Sequence, residues 1–156
     1  MSNQELIQKF YTSFQNKDYK GMQDCYADTA TFSDSVFKNL DAKKVKAMWH
    51  MLVSGGKDMK LTFSNVHADE NSGSCDWVAE YTFSLTGNKV INRIHAEFKF
   101  KEGKIISHQD AFNFYKWARQ AFGLKGFFFG WTNWFQETIQ NKSADKLQVF
   151  IEKKGN

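Results

Sequence analysis

The segment VINRIHAEFKF, Val90 to Phe100, decides the fold because its side chains alternate without a break. Val90, Asn92, Ile94, Ala96, Phe98 and Phe100 form one set, while Ile91, Arg93, His95, Glu97 and Lys99 form the other. Successive side chains of a strand point to opposite faces, so this pattern describes a strand with one face on a core and the other in water. The period of two does not make the continuous apolar stripe of a helix.

The same period extends in both directions. Met59, Leu61 and Phe63 alternate with Lys60, Thr62 and Ser64, and Trp77, Ala79, Tyr81, Phe83 and Leu85 alternate with Val78, Glu80, Thr82 and Ser84. On the C-terminal side, IISHQDAFNF (Ile105 to Phe114) places Ile106, His108, Asp110, Phe112 and Phe114 on one face, opposite Ser107, Gln109, Ala111 and Asn113. Asn71-Ser72-Gly73, Thr86-Gly87-Asn88 and Glu102-Gly103 supply turn chemistry between the runs. The four runs therefore read as an antiparallel meander whose apolar face needs a cover of helices. His108 and Asp110 lie on that apolar face, where ionisable groups are costly unless they are partnered or given a task.

The cover comes from the N-terminal third. Leu6, Ile7, Phe10, Tyr11 and Phe14 recur at helical spacing, and a shorter amphipathic piece follows with Tyr19, Met22, Cys25 and Tyr26. After a short strand candidate at Thr29–Phe32, Asp41 is placed to cap a helix carrying Val45, Met48, Trp49 and Leu52, with Leu40 and Val45 as a hydrophobic staple and Gly55-Gly56 as its end. Beyond Phe114, Tyr115, Ala118, Ala121 and Phe122 restore helical spacing. A glycine-rich aromatic link (Gly123, Gly126, Gly130) then leads to a last helix from about Thr132.

A chain of 156 residues with no internal repeat suits a single domain, 1–156, with its core in about 1–115 and the link and C-terminal helix in 116–156. The start has neither a basic region nor a signal-length apolar run, and no segment approaches a membrane span. The expectation is a soluble, cytoplasmic protein without a membrane partner. Cys25 and Cys75, the two cysteines, show no paired spacing and read as reduced thiols. The formal charge of +4 is spread among interleaved acids, so it reads as solvated faces and not as a nucleic-acid site. LKGFFFGW (Leu124 to Trp131) approaches an RNA-binding pattern but has Phe128 where a small residue is required.

Two further stretches, YADTATFSD (Tyr26 to Asp34) within the longer DYKGMQDCYADTATFSDSVF and the Gly-Lys-opened GKIISHQDAF, carry a resemblance. With the helix order and the meander, they make the first 115 or so residues resemble the SnoaL-like group of the nuclear transport factor 2-like superfamily, related to ketosteroid isomerase and polyketide cyclases. The resemblance implies an α+β fold. A curved antiparallel sheet would wrap around the N-terminal helices as a cone with an apolar pocket (cystatin-like or nuclear transport factor 2-like), here with an extra C-terminal helix.

The resemblance also implies roles. Asp34 falls at the position of the isomerase base, but Phe10 stands where that enzyme has its oxyanion-hole tyrosine and Ala96 where it has a protonated aspartate. Ser35 replaces the proline that often follows the aspartate. Steroid isomerase chemistry is therefore not the expectation. SnoaL-like cyclases use a late-strand aspartate as acid/base group, and Asp110 lies in that region. Scytalone dehydratase, a further relative, uses a histidine with acidic and tyrosine groups. The candidate catalytic set is thus His108, Asp110 and Asp34, with Tyr11, Trp49, Trp77, Tyr81, Asn92 and Phe112 as candidate ligand contacts.

A bland reading stands beside each of these. A buried His and Asp can simply satisfy one another, Asp34 can cap a turn, and the aromatic residues can be core. No metal set is expected, since His108 and Asp110 have no obvious third ligand and His50, His67 and His95 show no helpful spacing. No cofactor motif is present either. The functional expectation is binding of a small, largely apolar or carbonyl-containing ligand, with cofactor-free isomerase, cyclase or dehydratase chemistry as one version and a non-catalytic binding or dimerising domain as the other. Relatives often form homodimers, which sets that expectation here. Phe127, Phe128, Phe129, Trp131, Trp134 and Phe135 should either seal the cone, cap its mouth or meet a partner.

Overall fold

The computed structural model describes residues 1–154 and begins with helix α1, Asn3–Gln15. Ser2 and Glu5 cap it reciprocally, and Leu6, Ile7, Phe10, Tyr11 and Phe14 form its buried stripe. Helix α2 spans Tyr19–Gln23 and strand β1 spans Tyr26–Ser33, so Tyr26 opens a strand and does not extend the helical stripe expected for it. Cys25 lies between the two elements.

A two-residue strand β2 (Leu40–Asp41) leads into α3, Ala42–Gly55. The Asp41 carboxylate accepts the Lys44 amide at 2.9 Å, as expected of an N-cap. The buried stripe is Val45, Met48, Trp49 and Val53, whereas Leu52, expected to be inside, is exposed. Four residues after Trp49, Val53 lies on the same helical face, and Leu52 is turned about a quarter of the circumference away.

The meander forms from β3 (Lys60–Ala68), β4 (Ser72–Thr82), β5 (Lys89–Lys101) and β6 (Lys104–Ala111), all antiparallel neighbours. The complete sheet has six strands in the order β2-β1-β6-β5-β4-β3. Its one parallel pairing joins β1 to β6, so the sheet is mixed, and this pairing carries the candidate site. Strand β5 alternates buried and exposed residues along its whole length, as its sequence requires. Glu102 and Gly103 turn the chain into β6 with φ of 51° and 76°, the left-handed pair of a tight hairpin.

Three details depart from simple alternation. A register shift between Lys99 and Phe100 opposite the start of β6 buries Ile105 and leaves Ile106 only half-buried, which reverses the expected order there. Phe83 and Leu85 lie beyond β4, and Leu85 is exposed in the following turn. Phe114 begins helix α4 (Phe114–Phe122) instead of ending the strand, capped by the Asn113 side chain.

The aromatic link is itself helical. Helix α5 spans Leu124–Phe129 and α6 spans Asn133–Lys153, with Thr132 as its N-cap. Two apolar clusters result. The larger lies between the sheet and α1 and α3, and the smaller gathers Val90, Phe114, Trp117, Ala118, Ala121 and Phe135. Val36, Tyr81 and Phe112 touch both, so they mark the seam between the clusters.

Candidate functional site

The site is built where β1 runs parallel to β6. This pairing sets Phe32 beside His108, and the neighbouring strand sets Phe98 against His108 and Ala96 against Asp110. His108 has no exposed surface. Its ring lies 4.4 Å from Phe98, 4.9 Å from Phe32 and 5.6 Å from Phe10, centroid to centroid. An imidazole in such a place must satisfy both nitrogens from within the protein.

It does so through a chain of four side chains. The Trp49 indole N–H donates to the Tyr26 hydroxyl at 2.9 Å, the Tyr26 oxygen is 2.7 Å from His108 Nδ1, and His108 Nε2 is 2.9 Å from Asp110 Oδ1. One proton arrangement satisfies every member. Tyr26 accepts from Trp49 and donates its hydroxyl proton to Nδ1, which leaves the ring proton on Nε2 to donate to the Asp110 carboxylate. Helix α3, strand β1 and strand β6 thereby meet in one hydrogen-bonded line that ends on Asp110. Burial holds the Tyr26 phenol well above its ordinary range, so it acts as a hydroxyl and not as a phenolate.

Among the described residues, no side-chain or backbone donor reaches Asp110 Oδ2, and the Asn92 side chain has no hydrogen-bond partner. Two buried polar atoms also lack a partner: the Tyr11 hydroxyl and the Trp77 indole nitrogen. Their rings lie 5.9 Å apart. Desolvation pushes the Tyr11 phenol well above its usual range, and the negative charge of Asp110 pushes in the same direction. Native interiors rarely leave such donors unpaired.

Asp34 sits in the loop between β1 and β2. Its Oδ1 accepts the amides of Val36 at 2.7 Å and Phe37 at 2.6 Å, which is the turn-capping role that its residue type favours. Its pKa is nevertheless pushed up to about 6. Burial is the main cause and the charge of Asp110 adds to it, while the two amides and His108 oppose the shift. The loop is also held from the far side, where the Gln136 and Gln140 side chains donate to the Ser35 carbonyl at 3.2 and 3.0 Å.

The remaining expected contacts divide between the two clusters. Trp49 and Trp77 lie in the larger core, with Trp49 committed to Tyr26. Tyr81 accepts the Trp117 indole N–H at 2.9 Å, and with Phe112 it occupies the seam. Two cavities of about 410 and 260 Å³ open elsewhere, one beside Tyr26, Asp28 and Lys104, the other between the Val36–Leu40 loop and α6. Neither is lined by His108 or Asp110. Cys25 and Cys75 are buried free thiols whose pKa values burial raises to about 11 and about 12, so neither is an activated nucleophile. Among the described residues no group of three His, Cys, Asp or Glu side chains converges.

Sequence reading missed Tyr26. Its period-two relation to Ala30 and Phe32 is broken by a register shift between Tyr26 and Thr31, which hides the inward face of β1.

The model of the family described as the SnoaL-like domain matches residues 7–108, well over half of the chain, and the chain belongs to that family. Comparison with curated proteins finds no match. Among solved structures, an NTF2-like protein of unknown function from Burkholderia pseudomallei superposes with a TM-score of 0.68 at 14% identity, covering 79% of this chain and 100% of its own. A hypothetical protein with a ketosteroid isomerase-like fold from Catenulispora acidiphila, solved with trimethylamine, gives 0.64 at 9% identity over 75% and 92% of the two chains. An LEH-like epoxide hydrolase of M. tuberculosis gives 0.61 at 13% identity over 81% and 94%. The protein is thus an α+β cone of the nuclear transport factor 2-like type with an additional C-terminal helix.

Proposed function

We propose that the protein binds a small, largely apolar carbonyl compound inside the cone and moves a proton on it without a cofactor, as in isomerisation, cyclisation or dehydration. The observation that carries this reading is the buried line Trp49–Tyr26–His108–Asp110, which ends on a carboxylate with one oxygen committed and the other open. Asp110 is the base in this scheme. His108 is a positioning residue, because its Nε2–H fixes Oδ1 and leaves Oδ2 to receive a proton from the carbon next to the carbonyl.

The enolate oxygen then needs donors that are not otherwise engaged. The Tyr11 hydroxyl and the Trp77 N–H fit that need, since preformed donors in a water-poor site stabilise developing charge strongly. Asp34, with its pKa near 6, is suited to hold the proton that is returned to the product. Asn92, Tyr81 and Phe112 would complete the wall toward the seam. The epoxide hydrolase likeness adds only that this fold accommodates chemistry on small molecules.

A panel of small apolar carbonyl compounds, followed by proton exchange at the carbon next to the carbonyl and by NMR shifts of the Tyr11 and Trp77 rings, tests the reading. Asp110→Asn should reduce exchange about a hundredfold or more while affinity changes little. Compounds that bind without perturbing Tyr11 or Trp77, or exchange that survives Asp110→Asn, would contradict it. A second reading, non-catalytic binding in the same place, is favoured by the close ring packing around His108. It expects affinity that depends on Tyr11 with no proton exchange in the unaltered protein.

A further inference from the structure

The aromatic link does not seal the cone. Leu124, Phe127, Phe128, Phe129, Trp131 and Trp134 are all exposed, Trp131 at 72% and Phe128 at 59%, and only Phe135 turns inward. We propose that this face, formed by α5 and the start of α6, docks the protein onto the interface of an anionic lipid bilayer.

The first support is how rigidly the rings are presented. A Cβ on Gly126 would lie 1.9 Å from the Ala118 carbonyl oxygen, and one on Gly130 would lie 2.8 Å from the Ala118 side chain. These two glycines, four positions apart in α5 and at its C-cap, are therefore the inward edge, where the backbone rests on α4. The rest of the α5 circumference, which carries the phenylalanines, has no other place than outward.

The second support is the state of the backbone. The last carbonyls of a helix usually look to water, but here they are satisfied from within. Phe127 O accepts the Tyr115 hydroxyl at 2.9 Å, Phe128 O accepts the Trp131 indole N–H at 3.0 Å, and Phe129 O accepts the Thr132 hydroxyl at 2.6 Å. A surface that enters the headgroup and acyl boundary has to meet its own backbone hydrogen bonds, and the same contact uses up the one polar atom of Trp131.

The third support is charge. Between Asp110 and Glu137 the sequence contains no acidic residue, whereas it contains Lys116, Arg119 and Lys125. Arg119 lies 5.0 Å over the Tyr115 ring, beside the α4–α5 contact, and Lys125 sits within α5. Aromatic side chains rimmed by cations match an interface of acyl chains beneath negative headgroups. A second copy of the chain suits the face less well. A two-fold contact would bring two sets of these cations together without an acid in the segment to pair them.

The mode is peripheral. Among the described residues no helix is long and apolar enough to cross a membrane. The lack of a spanning segment, from which the sequence leads one to expect no membrane partner, does not bear on docking of this kind.

The test uses the full chain with vesicles of phosphatidylcholine alone and of phosphatidylcholine with about one third phosphatidylserine, read by flotation and by tryptophan emission. Binding to the anionic vesicles should exceed binding to the neutral ones by about tenfold and weaken with salt. The double variant Phe128→Ser, Trp131→Ser, confirmed as folded by its melting curve, should lose binding about tenfold or more, and Lys125→Glu should lose a smaller part. Absence of binding to either vesicle overturns the proposal, as does equal binding by the folded double variant. A dimer in solution that the double variant dissociates, with no vesicle binding, would assign the face to a second copy instead.

Discussion

Two concentrations of aromatic side chains divide this molecule, and they treat polar atoms in opposite ways. Around His108 the rings of Phe10, Phe32 and Phe98 enclose a buried line of hydrogen bonds. Around α5 the rings are exposed and the polar atoms beside them are paired with one another at the surface. The first arrangement makes each hydrogen bond matter, because a buried group that loses its partner keeps its full desolvation cost. The second leaves side chains that contribute almost nothing to folding of the isolated chain. An exposed apolar face of this size is what the proposed docking would use.

The contrast gives a ranking of effects. Tyr26→Phe strikes the first region hardest, since it leaves the Trp49 N–H and His108 Nδ1 both unpaired, and should lower stability by about 3 kcal/mol in denaturant unfolding. A loss below about 0.5 kcal/mol would mean that the line of hydrogen bonds is not dry.

Asp34 supplies the next effect, and it depends on pH. Its folded pKa of about 6 lies above the unfolded value of 3.8, so between these values the folded state holds the extra proton. Stability from this group is fully present below 3.8 and declines as pH rises through 6. Relative to Asp34→Asn, which keeps the acceptor for the Val36 and Phe37 amides, the unaltered protein should lose about 2 kcal/mol between pH 4 and pH 7. Thermal melts of both proteins across that range provide the check, and parallel curves would show that burial of Asp34 is not felt.

Tyr11→Phe has a smaller effect with the opposite sign. Removing an unpaired buried hydroxyl should raise the stability of the ligand-free protein by about 1 kcal/mol while weakening the binding of carbonyl compounds. Stability gained without loss of affinity would make Tyr11 a core residue only. In the second region, Phe128→Ser with Trp131→Ser should change stability by no more than about 0.5 kcal/mol, because both side chains are exposed.

Much of the first region was legible in the sequence and little of the second. The unbroken alternation of Val90 to Phe100 reports burial on one face directly, and with the alternation of Ile105 to Phe114 it carried the meander, the inward placement of His108 and Asp110 and the need for covering helices. What failed was local. A bulge moves Ile105 inward in place of Ile106, and the interrupted period of β1 concealed Tyr26, the residue that joins Trp49 to His108. Neither effect has a period to detect, since a bulge is set by partner strands that are distant in sequence. The parallel pairing of β1 with β6 is equally non-local. For the link, the glycines read as turn signals, but Gly126 and Gly130 serve close helix packing instead, and spacing alone does not separate those uses.

Trp49, Tyr26 and His108 hold Asp110 with one oxygen fixed and one free, and the ring proton of His108 reports on that arrangement. Nitrogen-15 NMR of the imidazole distinguishes the two nitrogens. The account requires the proton on Nε2, donated to Asp110, and a lone pair on Nδ1 that accepts from Tyr26, with Nδ1 changing sharply in Tyr26→Phe. A proton found on Nδ1 with Nε2 bare would contradict it, because Asp110 would then have no donor from His108 and the line would end before reaching the carboxylate.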